Sequence, residues 1–339
     1  VEASGIPVSG PRALRAKRGL GDRIGDPLLK WISALAALLA VALIGGIAYE
    51  VINQASPAIS KFGLGFITTN DWDPVKERFG AASFIYGTAV TSAIAVIIAA
   101  PLSVSIALYL TELAPRRLSR PVATLVDLLA AIPSVILGLW GILVLGPFMH
   151  DRIEPALQSV LGFLPLFSGD PSAFGVLTAA VILTIMATPI ITSVIREVFE
   201  TVPGDLKEGA YALGATRWEM VKTVVLPYSR AGIVGAVILG LGRAIGEAIA
   251  VTQVIGSSAG IHVSLFGTGG TLASWIASKY QGAPGALEKP SLAYLGLILL
   301  VFALLVNVIA RWIVKRTAID ESQPSPDGDA LLTEAEGLA

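Results

Sequence analysis

The chain has 339 residues, 54% of them hydrophobic and 14% charged, with a mean hydropathy of +0.74. An ordinary soluble domain carries about 25% charged residues, so this chain has too few to cover a water-facing surface and reads as a polytopic membrane protein. With 24 Lys and Arg against 25 Asp and Glu and no cysteine, it offers no bulk basic surface for nucleic acid. The missing thiols exclude a disulfide scaffold, a thiolate metal site and a cysteine nucleophile.

In chain order, residues 1–26 are rich in Gly, Pro and Arg and read as a disordered tail. Six apolar runs follow, at 31–52, 84–111, 122–148, 173–195, 229–256 and 291–314. Each is long enough to cross a bilayer as helix, which takes about 20 residues. The first has the basic approach of a signal peptide, with Ala55-Ser56 after it, but it exceeds the roughly 7–15 residues of a signal core. We read it as an uncleaved helix. Residues 317–339 hold six acids among Pro and Ser and form a second, acidic tail, leaving 27–316 as the transmembrane domain.

Most charges in these runs sit near the ends, as Glu50 and Arg311 do, and only Asp127, Arg243 and Glu247 fall clearly inside. Pro101, Pro133 and Pro189 interrupt the second, third and fourth. A proline frees a carbonyl, which lipid tolerates only where protein or water satisfies it. The breaks are packing kinks or broken helices lining a path, and Ser134 beside Pro133 and Thr188 beside Pro189 support the second reading. With the N-terminus inside, 17 Lys and Arg fall on that side and 6 on the other, so both termini are expected to be cytoplasmic.

Enzyme chemistry finds no support. His150 and His262 fall in different outward loops without a carboxylate cluster and read as solvated. No Gly-Lys pair exists to build a phosphate-binding loop, so any nucleotide is hydrolysed elsewhere, and no cofactor is implied. Gly267-Thr268-Gly269-Gly270 reads as a flexible external turn rather than an anion nest.

The inner loop at 196–228 carries helix punctuation. Asp205 is expected to cap a first helix, Gly214 to end it in a left-handed conformation, and Thr216 with Glu219 to open a second as a capping box. Pro227 after Leu226 is expected to stop that second helix. Tyr211, Leu213, Trp218, Val221 and Val225 are available for packing. Balanced charges argue against a DNA-reading helix pair. An amphipathic connector on the membrane and a docking knob for a soluble partner remain.

Glu208-Gly209-Ala210, Gly214 and Val224-Val225-Leu226-Pro227 resemble the E-A-A-x3-G-x9-I-x-L-P signature of bacterial ABC-importer permeases. Gly209 replaces the usual first Ala and Val224 the usual Ile. The resemblance implies that the hairpin, about 203–227, seats in a groove of an ATPase subunit. A narrower likeness covers roughly 60–315. Phe62-Gly63-Leu64-Gly65-Phe66, Trp72-Asp73-Pro74, Phe79-Gly80-Ala81, Phe84 to Thr88, Ala131-Ile132-Pro133-Ser134-Val135 and Gly242 to Ala248 resemble PstC-type permeases of phosphate importers. The PstA type shares the Arg–Glu motif, and the first-loop residues favour PstC.

Arg243 lies near the middle of the fifth run, where an ionised side chain costs about 2.5–3.5 kcal/mol and needs a partner or a wet cavity. Glu247, one helical turn on, can face the same way. The pair is self-neutralising, or an anion site on a transport path, or an inter-subunit salt bridge. We read the anion site, because a guanidinium fork matches two phosphate oxygens and Glu247 can accept from a phosphate hydroxyl.

The expectation is therefore an all-α membrane protein of six transmembrane helices with the MetI-like ABC importer permease fold, in the bacterial inner membrane. The resemblance implies phosphate import with a PstA-type partner permease, two ATPase subunits and an extracytoplasmic phosphate-binding protein. Loops near 53–83 and 257–290 are expected to dock that binding protein. The alternatives are a molybdate or sulfate permease, an ion-coupled secondary transporter, and a scaffold or signalling subunit without transport.

Overall fold

The computed structural model describes residues 20–318; both predicted tails fall largely outside them, although helix already begins at Leu20. Among the described residues six helices are long and apolar enough to cross a membrane: Leu28–Phe62, Ala82–Leu113, Ser134–Leu161, Val176–Glu200, Arg217–Gly246 and Glu288–Ile313. They are numbered here as spans one to six. The chain divides at Glu50–Val51, inside the first helix, into an N-terminal segment and a body from Val51 onward. In the N-terminal segment the apolar side chains from Leu28 to Ile47 are exposed, as suits a helix hydrophobic all round.

The body is built around span four. Ala180, Ile182, Ile191, Ile195 and Phe199 of that helix are fully buried, and its closest neighbour is span two. Buried hydroxyls follow the same helices: Thr88, Thr91, Ser92 and Thr184 each donate to the carbonyl four residues back. That local bond removes the cost of placing a hydroxyl in an apolar interior. At one end of the bundle the loops between residues 63 and 81, 162 and 175, and 255 and 287 meet; the hairpin that begins at Gly204 lies at the other. We call these the long-loop end and the hairpin end.

The long-loop end is more ordered than the sequence suggests. A two-stranded antiparallel ribbon, β1 (Trp72–Asp73) and β2 (Arg78–Phe79), pairs Trp72 with Phe79. Asp73 Oδ1 accepts the N–H groups of Val75 and Lys76 and shapes the turn. Those backbone N–H groups, Lys76 first, also hold its carboxyl below the usual range. Trp72 stacks edge-on against Phe79, Phe84 and Trp275, so one aromatic cluster ties the ribbon to span two and to the helix Leu272–Lys279. Gly267–Gly270 is not the flexible external turn expected. Gly269 and Gly270 are buried, and the carbonyls of Gly267 and Gly269 accept from Val176 and Ser258.

The third run is displaced. A separate helix, Arg116–Ala130, ends in a turn at Ala131–Ile132, and Pro133 caps the start of Ser134–Leu161. Asp127 thus lies on the preceding helix rather than on the span, and accepts from Arg196 at 3.2 Å. Pro133 cannot continue the first helix, and it leaves its own carbonyl free to begin the next. His150 is helical rather than in a loop, exposed, and 2.7 Å from Asp151.

Four prolines share one solution. The N–H groups of Ala114, Gly146, Glu154 and Leu226 each reach five residues back, to Tyr109, Gly141, Met149 and Val221, and each donor immediately precedes a proline. A proline lacks the donor and crowds the carbonyl one turn back, and the widened π-turn relieves that crowding; the helix continues through Pro147, Pro155 and Pro227, whereas it ends at Pro115, where Ala114 is extended (ψ 140°). Pro227 therefore does not stop the hairpin's second helix. That helix runs on unbroken as span five.

Candidate functional site: the Arg243 groove and the hairpin

Span five ends at Gly246, and Glu247 is extended (φ −71°, ψ 117°) before a short helix, Ile249–Val254. The same-face, one-turn pairing of Arg243 with Glu247 expected from a continuous helix does not form, because the backbone turns away between them. Glu247 Oε1 instead accepts the N–H of Ala250 at 3.3 Å, giving one of the unpartnered donors at a helix start its acceptor. No carboxylate lies within ion-pair distance of Arg243 among the described residues. Its side chain is exposed and lines an open groove of about 550 Å³ with Ile190, Ile238, Leu239, Gly242 and Asn307.

The helices that follow the breaks at Pro133 and Glu247 pack on each other. A Cβ on Gly138 would sit 3.0 Å from Ala250 Cα, and one on Gly141 would sit 2.7 Å from Val254. The start of span three thus packs along Ile249–Val254, and Ser134, half-buried, opens that span. Thr188 is placed differently: its hydroxyl donates to Thr184 O at 2.7 Å, and its carbonyl accepts from Ser103 at 3.0 Å. Neither Ser134 nor Thr188 lines the Arg243 groove. Asn307, which sequence reasoning passed over, does. The available signal was its isolation, since 295–310 of span six contains no other polar side chain.

At the hairpin end, the first helix is Gly204–Ala212. Pro203 precedes it and Asp205 lies in its first turn, so Asp205 is not the cap expected. Gly214 has φ +86°, and the N–H groups of Gly214 and Ala215 donate to Tyr211 O and Ala210 O, a full Schellman stop. Thr216 and Glu219 form both bonds of the capping box. Val221 and Val225 are buried beneath the hairpin with Phe199 and Ile195, whereas Leu213, Trp218 and Tyr211 remain exposed. Glu208 and Gly209 are exposed, while Ala210 and Leu226 pack on that core. Lys207 Nζ lies 2.6 Å from Glu112 Oε1, tying the first hairpin helix to the end of span two.

The chain matches the family model of binding-protein-dependent transport system inner membrane components over residues 99–319. It is 47% identical over 311 residues to a protein of Mesorhizobium japonicum named phosphate transport system permease protein PstC, covering 90% of this chain and 95% of that one. A Haemophilus influenzae protein of the same name is 44% identical over 295 residues, covering 86% and 93%. Among solved structures, a bacterial alginate ABC transporter in complex with its alginate-bound periplasmic protein aligns with TM-score 0.59 and 17% identity, over 88% of this chain and 97% of that one. The MetNI methionine ABC transporter, in an inward-facing conformation, aligns with TM-score 0.51 and 22% identity, over 70% and 96%. These likenesses match the helical fold.

Proposed function

Because the chain belongs to the family of binding-protein-dependent transport system inner membrane components, we propose that it is the permease subunit of an ATP-driven importer of inorganic phosphate. It is a multi-pass protein of the inner membrane. The hairpin end and both termini face the cytoplasm in this reading, and the long-loop end faces outward. The importer completes itself with a PstA-type permease, two ATPase subunits and an extracytoplasmic phosphate-binding protein that docks on the long loops.

The observation that carries the reading is the unpaired guanidinium of Arg243 in a groove between apolar spans. A cation so placed attracts an anion, and its fork of donors matches two oxygens of phosphate. Glu247, at the break that ends the same span, offers its second carboxylate oxygen as an acceptor for a phosphate hydroxyl, and Ser134 and Thr188, outside the lining of the groove, are assigned to other stretches of the path.

Coupling follows from helix continuity. The second hairpin helix and Arg243 belong to one 30-residue helix, Arg217–Gly246. The ATPase seats around Glu208, Gly209, Ala210 and Gly214, and its closure is passed along Leu226 and Pro227 to the groove. The π-turn at Val221–Val225 marks where that helix can flex. Arg243→Gln removes the charge and keeps a polar side chain. In a reconstituted, fully assembled importer it should abolish phosphate uptake; normal uptake would rule the site out.

A further inference from the structure

We propose that Asn307 is a second substrate-binding group of this groove, an uncharged acceptor that selects a protonated oxyanion. This rests on the phosphate-path reading of Arg243. Span six turns Leu304, Leu305, Val308 and Ile309 outward, all about half exposed or more, and sets Phe302, Val306 and Asn307 on its less exposed face. That face packs on span five, and there Asn307 lines the same groove as Arg243. A polar side chain deep in a membrane helix is costly, and those retained usually face a path or a partner group.

The amide's bonding defines its role. Nδ2 donates to Ala303 O at 2.9 Å, which satisfies one donor on the helix itself. Oδ1 takes no hydrogen bond among the described residues. Arg243 offers only donors, and Glu247, whose Oε1 takes the Ala250 N–H and whose second oxygen stays open, lies at the break beyond the residues that line the groove. The groove therefore holds donors for bare anionic oxygens and one neutral acceptor for a hydroxyl. Phosphate at neutral pH carries at least one hydroxyl and matches both. Sulfate carries none, so it would set an oxygen against Oδ1 and leave that acceptor unmatched.

The test uses the whole importer with its binding protein, reconstituted with Asn307→Leu, Asn307→Gln, Asn307→Asp or Arg243→Gln, and measures phosphate moved per ATP hydrolysed. Asn307→Leu should lower that ratio about tenfold or more, since it leaves a substrate hydroxyl without its acceptor. Asn307→Gln should retain most of it. Asn307→Asp, nearly the same shape, should fall to the level of Arg243→Gln, because a carboxylate beside the guanidinium competes with the substrate. A packing role predicts the opposite order, with Leu, the residue type of its neighbours, tolerated best. Asn307→Leu at the wild-type ratio with Arg243→Gln inactive would overturn the Asn307 assignment alone. Wild-type ratios in both would overturn the path reading itself. If the Leu variant does not assemble, the Asp variant decides, and full activity there overturns the proposal.

Discussion

At the scale of single residues, Glu247 shows how one carboxylate can hold two roles. Its Oε1 caps the start of Ile249–Val254, so Glu247→Ala should destabilise that break by about 0.5–2 kcal/mol, as loss of a helix-start acceptor does. Glu247→Gln keeps an acceptor oxygen and removes the charge. Thermal unfolding of the purified complex should therefore separate the two variants, with Gln close to the parent and Ala lower. Uptake by the Gln variant then reports the charge alone, and reduced turnover is expected. Gly87 is a second such position: an added Cβ would lie 2.1 Å from Gly270 O, a backbone atom that cannot swing aside. Gly87→Ala should lower the yield of folded protein sharply. Gly235→Ala, where nothing lies within 4 Å, should match or slightly exceed the parent, because alanine favours helix.

At the scale of elements, the hairpin depends on one backbone conformation. Gly214 has open space around its α-carbon, so a substitution there is opposed by φ +86° and not by contacts. Gly214→Val should cost about 1–3 kcal/mol locally and misdirect the helix that becomes span five. The expected readout is loss of ATPase stimulation by loaded binding protein together with loss of uptake. Unchanged stimulation and uptake would remove the hairpin from the coupling route. The ion pair of Lys207 with Glu112 gives this element a second anchor, with both side chains largely sheltered. A pair so sheltered is screened less than one on an open surface.

At the scale of the whole molecule, sidedness is open to a direct test because the chain has no cysteine. Val75, at the tip of the β1–β2 ribbon, is 93% exposed, and Leu213, at the hairpin turn, is 91% exposed. Val75→Cys should react with an impermeant thiol reagent on intact cells. Leu213→Cys should react only after the membrane is opened, and less when the ATPase subunits are bound. The reverse pattern would invert the assigned topology, and labelling of both from the same side would discard it.

What the sequence determined by itself was decided over short distances or by bulk apolarity. The spans followed from runs of apolar residues, because a helix in lipid satisfies its own backbone and needs no partner to be identified. The Schellman stop at Gly214 and the capping box at Thr216 and Glu219 were legible because all their bonds close within five residues. The tertiary structure decided the rest. Pro133 ends one helix and opens another, whereas Pro227 sits in a helix that widens and continues, and the residue type alone does not distinguish those outcomes. Lys207 meets Glu112 across 95 residues, and Asn307 joins Arg243 from a different span. The parting of Arg243 from Glu247 is the sharpest case. Four residues apart they read as one helical face, but the chain gave up the helix there to pack Ile249–Val254 beside span three, and packing between distant segments outweighed local propensity.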